Sequence, residues 1–152
     1  MPYRSRTAAM VALVLGAAVI ATPTAAAQCG EPAPSAAQQV LQDIAAARQN
    51  AGIPALRVNL RLTKVATRHA RRMALSGSIW HDDLAAWANG RAVAQNVAYG
   101  SSGAQAYDAM WNSAPHRTAM MSRKYRLIGV GAARSCDGDI MVSVDLMAPP
   151  PN

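Results

Sequence analysis

Leu127-Ile128-Gly129-Val130-Gly131-Ala132-Ala133-Arg134-Ser135-Cys136-Asp137-Gly138-Asp139-Ile140-Met141-Val142-Ser143-Val144-Asp145-Leu146-Met147 is where the chain changes its period. Ile128, Val130 and Ala132 alternate with Gly129, Gly131 and Ala133, and then Ile140, Val142, Val144 and Leu146 alternate with Met141, Ser143, Asp145 and Met147. A side-chain period of two belongs to a β-strand. Asp137-Gly138 between two such runs marks a hairpin turn, because glycine accepts the positive φ that a tight turn demands. The small residues on one face of the first strand leave room for a helix to approach closely.

Upstream the period is that of helices. Ser35 is a candidate N-cap for a helix to about Asn50, with Val40, Leu41, Ile44 and Ala47 on its apolar side and Gly52 and Pro54 to stop it. Asn59 can cap the next, in which Leu62, Val65, Ala66, His69, Ala70 and Met73 recur at i, i+3, i+4 and Gly77 ends the run. His69 falls inside that stripe and reads as a core histidine, not a ligand. Asp83 to Arg91 reads as a short helix or an ordered loop. Ser101 and Ser102 lead into a helix through Trp111, and Pro115 suits the first turn of another carrying His116, Met120 and Met121. Trp80, Trp87, Trp111 and Tyr125 read as core anchors. Helices first and a short antiparallel sheet later make an α+β pattern.

The first residues read as a leader. Arg4 and Arg6 supply a basic start, Ala8 to Ala21 an apolar core, and Ala25-Ala26-Ala27 an A-x-A cleavage signal before Gln28. The apolar run is shorter than the roughly 20 residues a membrane span needs, so no transmembrane anchor is expected after cleavage. The expected organisation is a signal peptide over 1–27, an N-terminal segment over 28–34, one domain over 35–148 and a tail over 149–152. Loss of Arg4 and Arg6 lowers the formal charge from +7 to +5. Such a cationic exported domain attracts anionic envelope polymers or lipid headgroups. Arg57, Arg61, Lys64, Arg68, Arg71 and Arg72 crowd around the second helix, without the interleaved aromatics that nucleic-acid binding would call for. Cys29 and Cys136 are the two cysteines of the chain, and in an exported protein such a pair reads as a disulfide.

Three further stretches carry polar chemistry: Ser76-Gly77-Ser78-Ile79-Trp80-His81, Gln95-Asn96-Val97-Ala98-Tyr99-Gly100 and Trp111-Asn112-Ser113-Ala114-Pro115-His116-Arg117. With Ile128-Gly129-Val130-Gly131 they form an ordered set that resembles the bacterial, SCP-like extracellular branch of the CAP superfamily of cysteine-rich secretory, antigen 5 and pathogenesis-related proteins. The resemblance implies an α-β-α sandwich and a cleft faced by two histidines and two glutamates, in which the imidazoles can hold a divalent metal. His81 and His116 match the histidines, and Gln95 stands at one glutamate position. The other glutamate should follow His81 closely, where this chain offers Asp82 and Asp83.

Glu31 is the one glutamate of the whole sequence, so no glutamate can act as a cleft base. The Gln95 amide keeps the shape of the family's side chain but cannot titrate. Two imidazoles alone under-coordinate zinc, which usually takes three protein ligands at a catalytic site, so a weakly bound divalent metal on His81 and His116 is the most the set offers, with Asp82 or Asp83 as a third ligand. Ser113, three residues before His116, suits a helix cap, and Asn96 a turn. A serine triad would need Asp82, Asp83 or Asp145 behind an imidazole and an oxyanion hole that no motif supplies. The expected function is a secreted binding or interaction module, with a lipid or other apolar small molecule as the ligand class the resemblance implies. A metal-assisted hydrolase or protease is the alternative, and the missing glutamates weigh against an enzyme.

Closing a loop of roughly a hundred residues stabilises a chain by about 4–5 kcal/mol at most. Non-reducing peptide mapping should recover Cys29 linked to Cys136. The Cys29→Ser/Cys136→Ser form should lose stability up to that amount in urea titrations; two free thiols in the folded protein would refute the pairing.

Overall fold

A computed structural model describes residues 29–150, except for the side chain of Trp87. The leader reading and the last two residues lie outside that range. The elements are α1 (Pro34–Asn50), β1 (Arg57–Val58), α2 (Leu60–Ser76), a 3-10 turn (Ala85–Trp87), β2 (Val93–Gly100), α3 (Gly103–Asn112), α4 (Ala114–Met121), β3 (Leu127–Arg134) and β4 (Ile140–Met147).

The β3–β4 hairpin turns at Gly138, where φ is +94°, as the Asp-Gly signal required. The sheet order is β1-β3-β4-β2. β2 lies antiparallel to β4, while β1 runs parallel to β3, so the sheet is mixed and not purely antiparallel. The parallel pair is short: Arg57 N donates to Arg126 O and Asn59 N to Ile128 O, both at 2.8 Å. β2 is a strand that periodicity did not announce, because most of both its faces are covered and its residues do not alternate cleanly between apolar and polar.

Each face of the sheet carries a helical layer. On one, Ile128, Val130, Val142, Val144 and Leu146 pack with Val40 and Ile44 of α1 and with Ala106 and Met110 of α3. On the other, Ala133 and Met141 meet Ala70, Met73 and Ala74 of α2, and Leu127 and Met147 meet Leu62. This is the α-β-α sandwich. A β-carbon added at Gly129 would overlap the Leu62 carbonyl carbon and Thr63 N, and one added at Gly131 would overlap Thr67 N and the Ala66 carbonyl carbon. The two glycines therefore let the α2 backbone lie directly on β3.

Asn59 caps α2, its Oδ1 accepting from Leu62 N at 3.0 Å, and Gly77 closes it at φ +67°. α1 differs from expectation. It begins at Pro34 behind an Ala33 cap with no side-chain bond, so Ser35 lies inside the first turn, because the fixed φ of proline already suits that position. Ser113 precedes α4 but its hydroxyl makes no cap bond. α1 and α4 are tied by Arg48, 1% exposed, which donates to Pro54 O, Met120 O (2.7 Å) and Ser122 O. Cys29 and Cys136 are bonded, and Gly30 N and Ala33 N donate to β3 carbonyls at 2.8 Å beside that link. Trp111 and Tyr125 are half-buried, whereas Trp80 is 37% exposed and is no core anchor. Among the described residues no helix is long and apolar enough to cross a membrane.

Gly131→Ala should destabilise the fold by about 3 kcal/mol or more, since its methyl meets backbone and not a yielding side chain. A urea midpoint within error of the parent would show that α2 can retreat from the sheet at no cost.

Candidate functional site

The site is built on β2, the outer strand beside β4. Register places Gln95 opposite Asp145 and Val97 opposite Ser143, so these four side chains share the face that α2 covers. Gln95 Nε2 donates to Asp145 Oδ1 at 2.9 Å and to Ser143 Oγ at 3.2 Å, and the Ser143 hydroxyl donates to Asp145 Oδ1 at 3.1 Å. At its other end Gln95 Oε1 accepts from Asp82 N at 2.8 Å and from His81 Nδ1 at 3.3 Å. A backbone N–H only donates, so the oxygen must face Asp82 and the amide cannot be flipped. His81 therefore donates from Nδ1 to Gln95.

The loop bearing His81 is pinned from α2. Buried His69 donates from Nε2 to Trp80 O at 2.7 Å, while its Nδ1 accepts from Arg72 Nη2 at 3.1 Å. Arg72 Nη2 also binds Asp82 Oδ2 at 2.6 Å. With Nδ1 occupied as an acceptor, His69 is neutral, and burial holds its pKa below the ordinary value. The Trp80 ring stands edge-on to His69, with centroids 5.4 Å apart. Asp83 Oδ1 accepts from Ala85 N at 3.0 Å and from Ala86 N, which starts the 3-10 turn.

Across the strand, Asn96 Nδ2 donates to His116 O at 2.9 Å, so Asn96 ties β2 to α4 and does not serve a turn. The pKa of His116 is lowered by burial and then by the charge of His81. His81 and Gln95 are thus in contact, and His116 lies within electrostatic reach of His81. Beside them a cleft of about 510 Å³ opens between β2 and α3–α4, lined by Ile79, Val97, Tyr99, Ala109, Ser113 and His116 among others.

A sequence profile of the cysteine-rich secretory protein family matches residues 41–145. The chain belongs to that family, CAP. Its fold is similar to that of an outer surface protein from Borrelia burgdorferi, with a TM-score of 0.67 at 18% identity over 76% of this chain and 94% of that one. It is also similar to an extracellular protein containing a SCP domain from Bacillus anthracis, with a TM-score of 0.66 at 20% identity over 76% of this chain and 41% of that one. A cysteine-rich secretory protein from Staphylococcus aureus aligns with a TM-score of 0.64 at 20% identity over 76% of this chain and 39% of that one. This chain thus spans about two-fifths of the Bacillus and Staphylococcus proteins. No curated protein matches its sequence.

The residues of this CAP cleft do not fit a three-ligand zinc centre. Among the described residues no group of three or more His, Cys, Asp and Glu side chains could hold a metal ion. Asp82, expected as a third ligand, is spent on Arg72, and Asp83 on the turn. Sequence reading also missed the carboxyl behind Gln95. Asp145 is fully buried, its Oδ2 has no partner, and its pKa is pushed up to about 6, chiefly by burial, against the hydrogen bonds from Gln95 and Ser143 that favour the anion. The signal for it was present: Ser143 and Asp145 interrupt an apolar strand at alternate positions, which puts two polar groups on one buried face.

Because the Asp145 pKa is higher folded (about 6) than its ordinary 3.8, the folded protein keeps this proton longer. The stability it confers is complete below about pH 4 and is lost as pH rises through about 6, a change of roughly 3 kcal/mol. Asp145→Asn keeps an acceptor for Gln95 without this titration. Its stability relative to the parent should therefore rise by about that amount from pH 4 to pH 7.5 in paired urea titrations, and a constant difference would contradict the assignment.

Proposed function

We propose that this CAP domain is an exported binding module whose cleft takes a small amphiphile, with its apolar body against Ile79, Val97, Tyr99 and Ala109 and its polar end toward Ser113 and His116. The A-x-A leader pattern, the Cys29–Cys136 bond and likeness to proteins described as outer surface, extracellular and secretory support export. One observation carries the binding reading: the polar groups behind the cleft are consumed in holding one another. Gln95 uses both ends of its amide, Asp82 its carboxylate and Asn96 its amide nitrogen, and each bond is structural. An apolar wall with few polar groups is what a ligand pocket needs.

The test uses 1-anilinonaphthalene-8-sulfonate as probe, followed by its fluorescence on the mature protein. Ala109 is exposed on the cleft wall, so Ala109→Trp fills the space without disturbing the core. Its affinity for the dye should fall about tenfold, or 1.4 kcal/mol. Ala46→Trp, in the groove between α1 and α3, should leave binding unchanged. No dye binding, or an equal loss in Ala46→Trp, would exclude the cleft.

A further inference from the structure

The outward face of α2 supplies no residue to the lining of that cleft, though Arg72 on it holds Asp82, and its composition is one-sided. At 100° per residue, Leu60, Arg61, Lys64, Arg68, Arg71, Arg72 and Leu75 fall within an arc of about 120°, while Leu62, Ala66, His69, Ala70 and Met73 point to the sheet. All five cations are exposed, and α2 contains no acidic residue. Asp82 brings a carboxylate to this face, paired with Arg72. Arg71 donates Nε to Gly30 O at 2.9 Å, which fixes the side chain and leaves its charge in place. Arg68, Arg71, Arg72 and Leu75 border a groove of about 470 Å³ with Val65 and Asp82, wide enough for a phosphate group and its esters.

Leu60 is 75% exposed and Leu75 60%, and they lie within that arc near the two ends of the helix, about 22 Å apart at 1.5 Å per residue. Cations alone would attract any polyanion. Two large aliphatic side chains held in water on that surface gain only from an apolar interior beneath the charge, and the alkyl stems of Arg and Lys can share it while their heads stay at phosphate level. The sheet backs α2 over its whole length, so the helix needs no ordering on binding, unlike an amphipathic peptide.

We infer that the α2 face is a peripheral docking surface for an anionic phospholipid bilayer, on which the helix lies parallel to the membrane plane with headgroup phosphates at Arg68, Arg71 and Arg72 and with Leu60 and Leu75 dipped into the interface. This surface is separate from the cleft, and its test is independent of the ligand reading.

The mature full chain is floated with vesicles of phosphatidylcholine alone and of phosphatidylcholine with about 30% phosphatidylglycerol, at about 0.1 M salt, where charges are felt over about 10 Å. The anionic vesicles should bind it and the neutral ones should not. Lys64→Ala/Arg68→Ala should lower the partition at least tenfold, from the roughly fivefold that each basic residue contributes at such a surface. Arg123→Ala/Lys124→Ala, which removes the same charge at the α4–β3 loop, should lower it no more than about twofold, since charges beyond the Debye length are screened. Leu60→Ser should weaken vesicle binding while sparing retention on soluble polyphosphate. Circular dichroism confirms the fold of each variant. Binding to both vesicle types alike, equal losses from the two double variants, or no effect of Leu60→Ser would each overturn the proposal, the last in favour of a soluble polyanion.

Discussion

The contact of the α2 backbone with Gly129 and Gly131 of β3 sets the positions of everything that follows. Without side chains at these two places the helix drops onto the sheet, and its inner residues reach the strand beyond. That depth puts His69 and Arg72 level with the loop after the helix, where one holds the Trp80 carbonyl and the other the Asp82 carboxylate. It also turns the remaining side of the helix fully to solvent, which is why its arginines gather on one surface. A single packing constraint thus shapes both the cleft and the face behind it.

Gln95 is the second pivot. An amide satisfies four partners at once because it both donates and accepts: Asp145 and Ser143 on one side, Asp82 N and His81 on the other. A glutamate in its place would set a carboxylate against Asp145, and two carboxylates at hydrogen-bond distance cannot both ionise. The carboxyl buried on β4 and the amide on β2 are therefore chemically matched. The same match puts an amide that cannot titrate where a glutamate would stand, with its oxygen accepting from His81 Nδ1.

The two surfaces proposed to bind lie on different elements and draw on different physics. The cleft at β2 relies on shape and apolar area, and α2 on charge with a small apolar complement. The sheet separates α2 from α3 and α4, so a bilayer under α2 would leave the α3–α4 side of the cleft facing away from it.

Much of the fold was legible in the chain. The alternation over β3 and β4, the Asp-Gly turn, the Asn59 and Gly77 boundaries of α2 and the small residues that admit a helix are local signals that survive folding, because turn φ values, caps and periodicity are set within a few residues. The ordered His81, Gln95 and His116 motifs marked where to look. What the sequence could not show is set by contacts between distant segments. β2 becomes a strand because β4 supplies its partners, and β1 because β3 does. The Asp145 carboxyl acquires its elevated pKa from burial under α2, against the opposing hydrogen bond from Gln95, fifty residues earlier. The engagement of Asp82 by Arg72 and the exposure of Trp80 follow from the depth at which α2 sits, a quantity fixed by packing across the sheet and absent from any local stretch of residues.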